Sequence, residues 1–262
     1  MDVLDPMRQR LADAVRSRVV GPGAEVRGAE LFDAPGERWF ADDAVIKRVH
    51  ADASMFIGGL RALLLQTLHP LAMAGVAQHS DYRGDPWGRL QRTADFLAAT
   101  TYGPATEAQR AVDTVHRVHL RVVGTARDGR AYSANDPHLL EWVHCVEVDS
   151  FLAAYRRYGA APLSAPAADE YVRDMAVIAR ALGVVDPPTT TAALAARLRS
   201  YRRELRSTPE ARTADYTVIA KDRNGPLQAF PLWDVDRSLG NANYAYSHSA
   251  AGMKWWVAGS NY

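Results

Sequence analysis

The sequence predicts an all-α protein that folds as a single helical domain. Ala, Leu, Arg and Glu dominate a series of long segments, in which apolar residues recur three and four positions apart, as on the buried face of an amphipathic helix. These segments are residues 5–20, 50–78, 86–103, 105–124, 137–159, 165–183 and 190–206. No internal repeat, low-complexity tract or long linker interrupts the sequence.

Capping residues support the boundaries of these helices. Asp85 and Asp136 each precede a proline, so each places an N-cap side chain before a residue suited to the first helical turn. Glycines follow the segments on the C-terminal side, where helices commonly end. These glycines are Gly103, Gly124, Gly159 and Gly183. Pro70 lies inside segment 50–78 and, lacking a backbone donor, is expected to kink that helix.

The two ends of the chain differ from its helical centre. Residues 1–34 are predicted to form a helix followed by a loop, because Gly and Pro recur at turn spacing over residues 21–40. From Asp215 onward, Tyr, Trp, Asn, Gly and Ser replace the helical background. We therefore expect residues 35–214 to form the helical domain. Residues 215–262 are expected to form an irregular tail, which either packs on the surface or covers a pocket as a lid.

Composition narrows the classes of function. A chain of 262 residues with 48% hydrophobic residues can bury a core large enough to hold a cofactor. The formal net charge of +1 argues against a nucleic-acid binder that works by general attraction to phosphate. Cys145 is the single cysteine, which excludes an intramolecular disulfide and a multi-cysteine zinc site.

Location and membrane insertion can also be addressed from the sequence. The N-terminus shows neither the apolar segment nor the twin-arginine pair of an export signal, so a cytoplasmic location is expected. The longest apolar run extends from Phe56 to Ala77, but Arg61, Gln66 and His69 interrupt it. We interpret this run as a buried core helix and not as a membrane span. The sequence contains no GxSxG elbow, Walker A loop or HExxH helix.

The helix predicted over residues 105–124 carries a histidine in the middle of its buried stripe. The stripe consists of Ala108, Val112, Val115, His119 and Val122. In this position His119 is either a core histidine satisfied by hydrogen bonds or a neutral imidazole that ligates a metal through one ring nitrogen. Both interpretations remain open for the isolated helix.

The preceding helix places Arg89, Arg92, Thr93 and Phe96 along one side. At least one of the two arginines is expected to enter an apolar space, where a guanidinium must find a carboxylate, a carbonyl or an anionic ligand. Arg89 would pair with a carboxylate if its role is structural. In a functional role, Arg89 and Thr93 would face a histidine across a pocket and bind a propionate or polarise dioxygen.

A third candidate is the pair Glu141 and His144, which has the ExxH spacing of ferritin-like di-iron proteins. A di-iron site needs a second ExxH pair, and the sequence has none. A non-haem iron site at Glu141 and His144 remains an alternative, as does His144 replacing His119 as the ligand. The structural interpretation is a core histidine capped by Glu141 or Glu147.

Several of these residues belong to blocks that resemble a known family. The blocks are LLLQTLHPLAMAGVAQHS at 63–80, RLQRT at 89–93, VHRVHLRVVGT at 115–125 and YSANDPHLLEWVH at 132–144. Their order and spacing resemble the rubber oxygenase and MpaB oxygenase family over about residues 35–210. That family includes the latex clearing proteins, which are haem b enzymes with a globin-like helical core. The resemblance therefore implies a globin-like helical bundle that binds haem b.

The resemblance also implies roles for individual residues. The proximal haem ligand of latex clearing proteins lies in a VxxxHxxV-like segment, which corresponds to His119. Their distal Arg-x-x-Lys-Thr cluster corresponds to Arg89, Arg92 and Thr93, with Arg92 in place of the lysine. A permanently charged guanidinium is a very poor iron ligand, so a lysine-capped state is not carried over.

Taken together, the resemblance implies a haem-dependent oxygenase that uses dioxygen on an apolar, unsaturated small molecule. His119 would hold the iron from one side, and Arg89, Arg92 and Thr93 would face the other. The alternatives are a non-catalytic haem or small-molecule binding protein, or a metal-free helical interaction protein. The sequence does not indicate an electron donor.

Overall fold

The computed structural model describes residue 28 and residues 31–80 and 85–213. In these ranges the chain is mostly helical, with a single two-stranded antiparallel sheet. The predicted all-α helical bundle is therefore confirmed. The predicted N-terminal helix over residues 5–20 and the predicted tail over residues 215–262 lie outside the described residues.

The elements are numbered here in chain order. The helices are α1 (Val45–His50), α2 (Ser54–Gln66), α3 (Pro70–His79), α4 (Pro86–Tyr102), α5 (Ala105–His119), α6 (Pro137–Tyr158), α7 (Ala165–Ala181) and α8 (Thr191–Tyr201). The strands are β1 (Val123–Thr125) and β2 (Ala131–Ser133). They pair antiparallel with Gly124 opposite Tyr132. Helix α6 lies at the centre, because it packs along α2 and also contacts α1, α7 and α8.

The main core forms where α6 meets α1 and α7. Ile46 of α1, Val148 and Phe151 of α6, and Tyr171 and Met175 of α7 are all buried in one hydrophobic cluster. Burial of side chains this large contributes roughly 1.5–3 kcal/mol each. This core fixes the position of α6, on which several candidate site residues lie.

The predicted helix ends are mostly confirmed. Asp85 accepts a hydrogen bond from the Gly88 amide, and Asp136 accepts one from the His138 amide, so both act as N-caps. Gly103 and Gly159 directly follow α4 and α6. Gly183, with φ +99°, lies just beyond α7 in the left-handed region that glycine adopts without strain.

The prediction of one kinked helix over residues 50–78 is wrong. The segment contains two helices, α2 and α3, whose axes are bent by 103°. Pro70 is the first residue of α3, and His69 before it has an extended conformation, as expected for a residue that precedes proline. Among the described helices, none alone has the length and apolarity to cross a membrane. Only α2 and α3 taken together meet those criteria.

The prediction of a helix over residues 105–124 is wrong at its C-terminal end, because α5 stops at His119. Gly124 does not close a helix but pairs with Tyr132 in the hairpin. A Cβ on Gly124 would lie 2.6 Å from the Tyr132 hydroxyl oxygen, so the glycine allows the two strands to pack closely. The hairpin connects the end of α5 to the start of α6. Helix α8 likewise ends at Tyr201, before the predicted residue 206.

The close packing of α2 on α6 depends on Gly58. A Cβ on Gly58 would lie 2.8 Å from Phe151 Cδ1, whereas a Cβ on Gly59 would lie 3.9 Å from Phe151 Cε1. We expect Gly58→Ala to lower the free energy of unfolding by about 1–2 kcal/mol, because overpacking outweighs the better helix propensity of alanine. Gly59→Ala should raise it by up to about 1 kcal/mol. Urea unfolding of both variants tests this pair, and equal stability of the two would contradict it.

Candidate functional site

Arg89 and His119 lie at the same end of an α-helical hairpin. Gly103 and Pro104 form the short connection between α4 and α5, and the two helices pack against each other. Arg89 and His119 are about equally far along the chain from this connection. Because an α-helix rises by the same amount per residue, both side chains start from the same level of the bundle.

His119 is the last residue of α5 and is partly buried. Its Nδ1 atom is shielded from solvent and has no hydrogen-bond partner among the described residues. Burial lowers the pKa of His119, and the nearby His116 acts in the same direction, while Asn135 opposes them. The ring is therefore neutral at physiological pH and has an uncommitted nitrogen.

Arg89 is partly buried and is the less exposed of the two arginines of α4. Its Nη1 atom donates a hydrogen bond to Ser80 Oγ at 3.2 Å. Burial lowers the pKa of Arg89, and Arg92 adds to this effect while Glu147 opposes it. A guanidinium keeps its proton even when buried, so Arg89 places a permanent positive charge here.

The two neighbours predicted to act with Arg89 are placed differently. The Arg92 side chain is 68% exposed, and its Nη1 atom lies 3.6 Å from Asp85 Oδ2. Its charge nevertheless acts on Arg89. Thr93 is partly buried and donates a hydrogen bond from its hydroxyl to the Arg89 carbonyl at 3.2 Å. Arg89 and Thr93 are thus linked within one helical turn, while Arg92 lies at the solvent edge.

One face of α6 contributes further ionisable groups. Leu140, His144 and Glu147 share this face at helical spacing. His144 is buried, its Nε2 atom has no hydrogen-bond partner among the described residues, and burial lowers its pKa to about 4. Burial raises the pKa of Glu147 to about 7, although the charge of Arg89 opposes the shift. The charges of Glu147 on α6 and Arg89 on α4 thus act on each other.

A cleft of about 300 Å³ opens onto the same region. It lies between the end of α5, the residues before α6 and the end of α7. Its lining residues are His116, Leu120, Asn135, Leu140, Leu182 and Gly183. Leu140 begins the α6 stripe that continues to His144 and Glu147. His119 and His144 do not line the cleft themselves, but His116 and Leu140, each one helical turn before one of them, do.

These residues fit an iron porphyrin by their chemistry. Haem iron is commonly held by a neutral imidazole, and His119 and His144 each have an uncommitted ring nitrogen. Arg89 supplies a cation that can pair with a propionate or another anion. The structure does not test the roles predicted for His119, Arg89, Arg92 and Thr93 in binding and catalysis, which stay predictions.

The pair Glu141 and His144 does not form a shared ligand set. The Glu141 carboxylate accepts hydrogen bonds from Arg197 and from the Tyr201 hydroxyl, so both of its oxygens are directed to α8. In the part of the chain that the structure describes, the three-residue group suited to a metal is His69, His138 and Glu204. His144 therefore retains a role only as a possible haem ligand in place of His119.

Some site residues were not found from the sequence. Glu147 was considered only as a cap for His144, although its position three residues later on α6 already placed it on the same helix face. The group of His69, His138 and Glu204 has no local signal, because these residues lie far apart in the chain. Only the fold brings them together.

A larger cavity, of about 540 Å³, lies beside α3. Pro70, Ala74 and Ala77 of α3 give it an apolar side, and the β1–β2 turn and residues 208–210 complete it. Ser80 also lines this cavity, and its Oγ atom accepts the hydrogen bond from Arg89. The cavity therefore reaches the neighbourhood of Arg89.

The described residues thus form a helical domain in which His119 and His144 are neutral and each have a ring nitrogen without a partner. The sequence matches, over residues 47–256, the family described as ER-bound oxygenase mpaB/B'/Rubber oxygenase, catalytic domain. The chain therefore belongs to this oxygenase family, and the resemblance seen in the sequence blocks is confirmed. The match extends into the segment predicted as a tail. No curated protein and no solved structure matches the chain.

Glu147 should make stability depend on pH. Burial raises the pKa of Glu147 from its ordinary value of 4.5 to about 7 in the folded protein. Its contribution to stability is therefore present below pH 4.5 and is lost as the pH rises through 7. We expect wild type to lose stability relative to Glu147→Gln over this range. Urea unfolding of both proteins between pH 4.5 and 8 tests this, since other titrating groups are common to the two. A difference that does not change with pH would contradict it.

Proposed function

We propose that this protein is a haem b-dependent oxygenase in which His119 ligates the iron. The observation that carries the proposal is the state of His119. It is a neutral, partly buried imidazole, and its Nδ1 atom is shielded from solvent and used by no described residue. It also lies at the same end of the α4–α5 hairpin as the cation Arg89. Membership of an oxygenase family supports the same conclusion.

The haem, when bound, supplies the redox chemistry with dioxygen. The chain's own residues hold and orient the reactants. Arg89 offers N–H donors and a permanent charge to an anionic group, such as a propionate or an oxygen atom that gains negative charge. The hydroxyl of Thr93 bonds to the backbone of Arg89 and so orders this turn of α4. Arg92 adds positive charge from the solvent edge.

Glu147 is suited to hold or release a proton beside Arg89. A carboxyl group with a pKa of about 7 exists in both protonation states near neutrality, which is the condition for efficient general acid–base catalysis. Arg89 favours the ionised form, while burial favours the protonated form. We assign Glu147 the role of exchanging a proton at its carboxyl oxygens during oxidation of the substrate.

The substrate we propose is a small or medium apolar molecule with a carbon–carbon double bond. The apolar side of the 540 Å³ cavity beside α3 and the lining of the smaller cleft both suit such a molecule.

Incorporation of labelled oxygen tests the proposed activity. Haem-loaded protein is incubated under ¹⁸O₂ with a set of apolar alkenes and polyenes, with or without a chemical reductant, and products are examined by mass spectrometry. Products that contain ¹⁸O and depend on the protein support an oxygenase. If ligands shift the absorption spectrum but no compound in the set gains ¹⁸O, the protein is a haem-based binding protein and the proposal is wrong.

A further inference from the structure

A second group of potential metal ligands lies outside the proposed haem site. It consists of His69, which directly precedes α3, His138 in the first turn of α6, and Glu204, which follows α8. Glu204 Oε2 lies 3.3 Å from His69 Nε2 and 2.9 Å from His138 Nε2. The ligand atoms of the three residues all lie within 4.8 Å of one another. Two imidazole nitrogens and one carboxylate oxygen thus converge on one point.

The fold holds each of the three residues in place. His69 is fully buried, and its ring contacts those of Trp142 and Tyr201. The His138 ring stacks on that of Tyr201, with centroids 4.6 Å apart. The segment that carries Glu204 is tied back by a hydrogen bond from the Arg206 amide to the Leu68 carbonyl. The cluster therefore lies on a packed base and does not depend on free surface side chains.

In the metal-free protein, the contacts of Glu204 with the two histidines are hydrogen bonds. A carboxylate can only accept, so Nε2 of His138 donates to Glu204 Oε2 at 2.9 Å, and Nε2 of His69 lies 3.3 Å from the same oxygen. A metal ion would take the place of the proton on Nε2, because an imidazole ligates through an unprotonated nitrogen. The proton of neutral His138 would then lie on Nδ1, which is 3.3 Å from the Tyr201 hydroxyl oxygen. That oxygen can accept it, since the hydroxyl itself donates toward the His138 carbonyl and Glu141 Oε2.

We propose that His69, His138 and Glu204 bind a divalent first-row transition metal of the Zn²⁺ type. Two imidazoles and one carboxylate are a common ligand set for such ions, whereas Mg²⁺ and Ca²⁺ prefer sites made of oxygen ligands. Tyr201, which orients His138 through Nδ1, and Glu141, which accepts from Tyr201, act as the outer support that metal-binding histidines usually have.

The site has an open side. His138 is 50% exposed and Glu204 is 36% exposed, while His69 is completely buried. Three protein ligands on one side leave room for a water molecule or another small ligand on the other. The metal would also link the starts of α3 and α6 to the segment after α8, so binding is expected to stabilise the fold.

The test uses tag-free, full-length protein that has been treated with a chelator and dialysed. Co²⁺ is titrated while the visible absorption bands of the bound ion are recorded, and Zn²⁺ content is measured by mass spectrometry after equilibrium dialysis. We expect wild type to bind one equivalent of either ion. Glu204→Gln and His138→Asn should each weaken binding by about 100-fold or more, because each removes a direct ligand. Both altered side chains are partly exposed, so these variants are preferred to a change at the buried His69.

His79→Ala is the matched control. His79 is the last residue of α3, its Nε2 atom bonds to the Val123 carbonyl, and it takes no part in the cluster. This variant should bind the metal as wild type does. Circular dichroism confirms that each variant is folded, and haem content, measured separately, shows whether the proposed haem site is intact. The proposal is overturned if wild type takes up no metal, or if either ligand variant binds it as tightly as wild type.

Discussion

Replacing His119 with alanine is expected to abolish stoichiometric haem binding. In the proposed site His119 supplies the bond from protein to iron, so its removal would leave the haem without that ligand. The measurement is haem per chain by the pyridine haemochrome method, on protein produced with sufficient haem supply. Wild type should contain about one haem per chain, and the variant should fall to the background level. Circular dichroism and thermal unfolding establish that the variant is folded.

Two further histidine variants show whether the loss of haem is specific to His119. His116 lies one turn earlier on α5 and lines the cleft, so His116→Ala removes an imidazole from the same neighbourhood and should retain the haem. His144→Ala tests the alternative ligand on α6. If His144→Ala loses the haem while His119→Ala keeps it with an unchanged absorption spectrum, His144 is the iron ligand and the assignment of His119 is wrong.

Replacing Arg89 with leucine is expected to weaken the binding of anions at the haem iron. If Arg89 faces the open side of the haem, its guanidinium donates a charge-assisted hydrogen bond to an anion bound there. Such bonds contribute about 1.5–3 kcal/mol, which corresponds to a change of roughly 10–100-fold in Kd. Fluoride is the probe, because its binding to ferric haem protein is followed by absorption and needs no knowledge of the substrate. The variant should keep its haem while its fluoride Kd rises by this factor.

Arg92→Leu is the matched control for Arg89→Leu. The two substitutions remove the same charge from the same helix, but Arg92 is mostly exposed and paired with Asp85. Solvent screens its charge, so its removal should change the fluoride Kd by less than about threefold. Equal effects of the two substitutions would show that the net charge of α4 matters and not a hydrogen bond from Arg89. No effect of Arg89→Leu would remove Arg89 from the haem pocket.

Much of the helical fold follows from local signals. Asp85, Asp136, Gly103, Gly159 and Gly183 were placed correctly at helix ends because their capping contacts lie within a few residues in the chain. The helices of the core could also be predicted from local signals, namely the periodic spacing of apolar residues. Their apolar spacing reflects burial on one face, which tertiary packing then satisfied.

Two predictions failed where tertiary contacts decide the structure. The residues around Gly124 retain an apolar pattern compatible with a helix, but β1 and β2 are three residues each, too short for an alternating pattern to stand out. At Pro70 the sequence indicated that the helix predicted over residues 50–78 is kinked. Whether a proline kinks a helix or begins a new one depends on whether neighbouring elements can pack against the new direction. Here α3 packs against the hairpin.

The candidate site likewise contains residues that local sequence signals indicate and residues that only the fold brings together. His119 and Arg89 could be proposed as candidates from the sequence, because each lies on a helix with apolar spacing and in a family block, and their roles stay predictions. Burial in the folded protein raises the pKa of Glu147 and the charge of Arg89 opposes the shift, and neither influence can be deduced from the residues adjacent in the chain. The cluster of His69, His138 and Glu204 depends on three distant segments that meet in space. A sequence pattern shows which residues are neighbours within one helix or strand. It does not show which residues of different elements come into contact.

The haem content of the purified wild-type protein tests the central claim most directly. The protein is produced with an adequate haem supply, and its absorption spectrum is recorded together with a pyridine haemochrome assay and total iron. A Soret band with about one haem b per chain is the predicted result. Iron without haem would contradict the claim and indicate a non-haem oxygenase, and a folded protein with neither iron nor haem would show that this chain shares the family's fold without its haem chemistry.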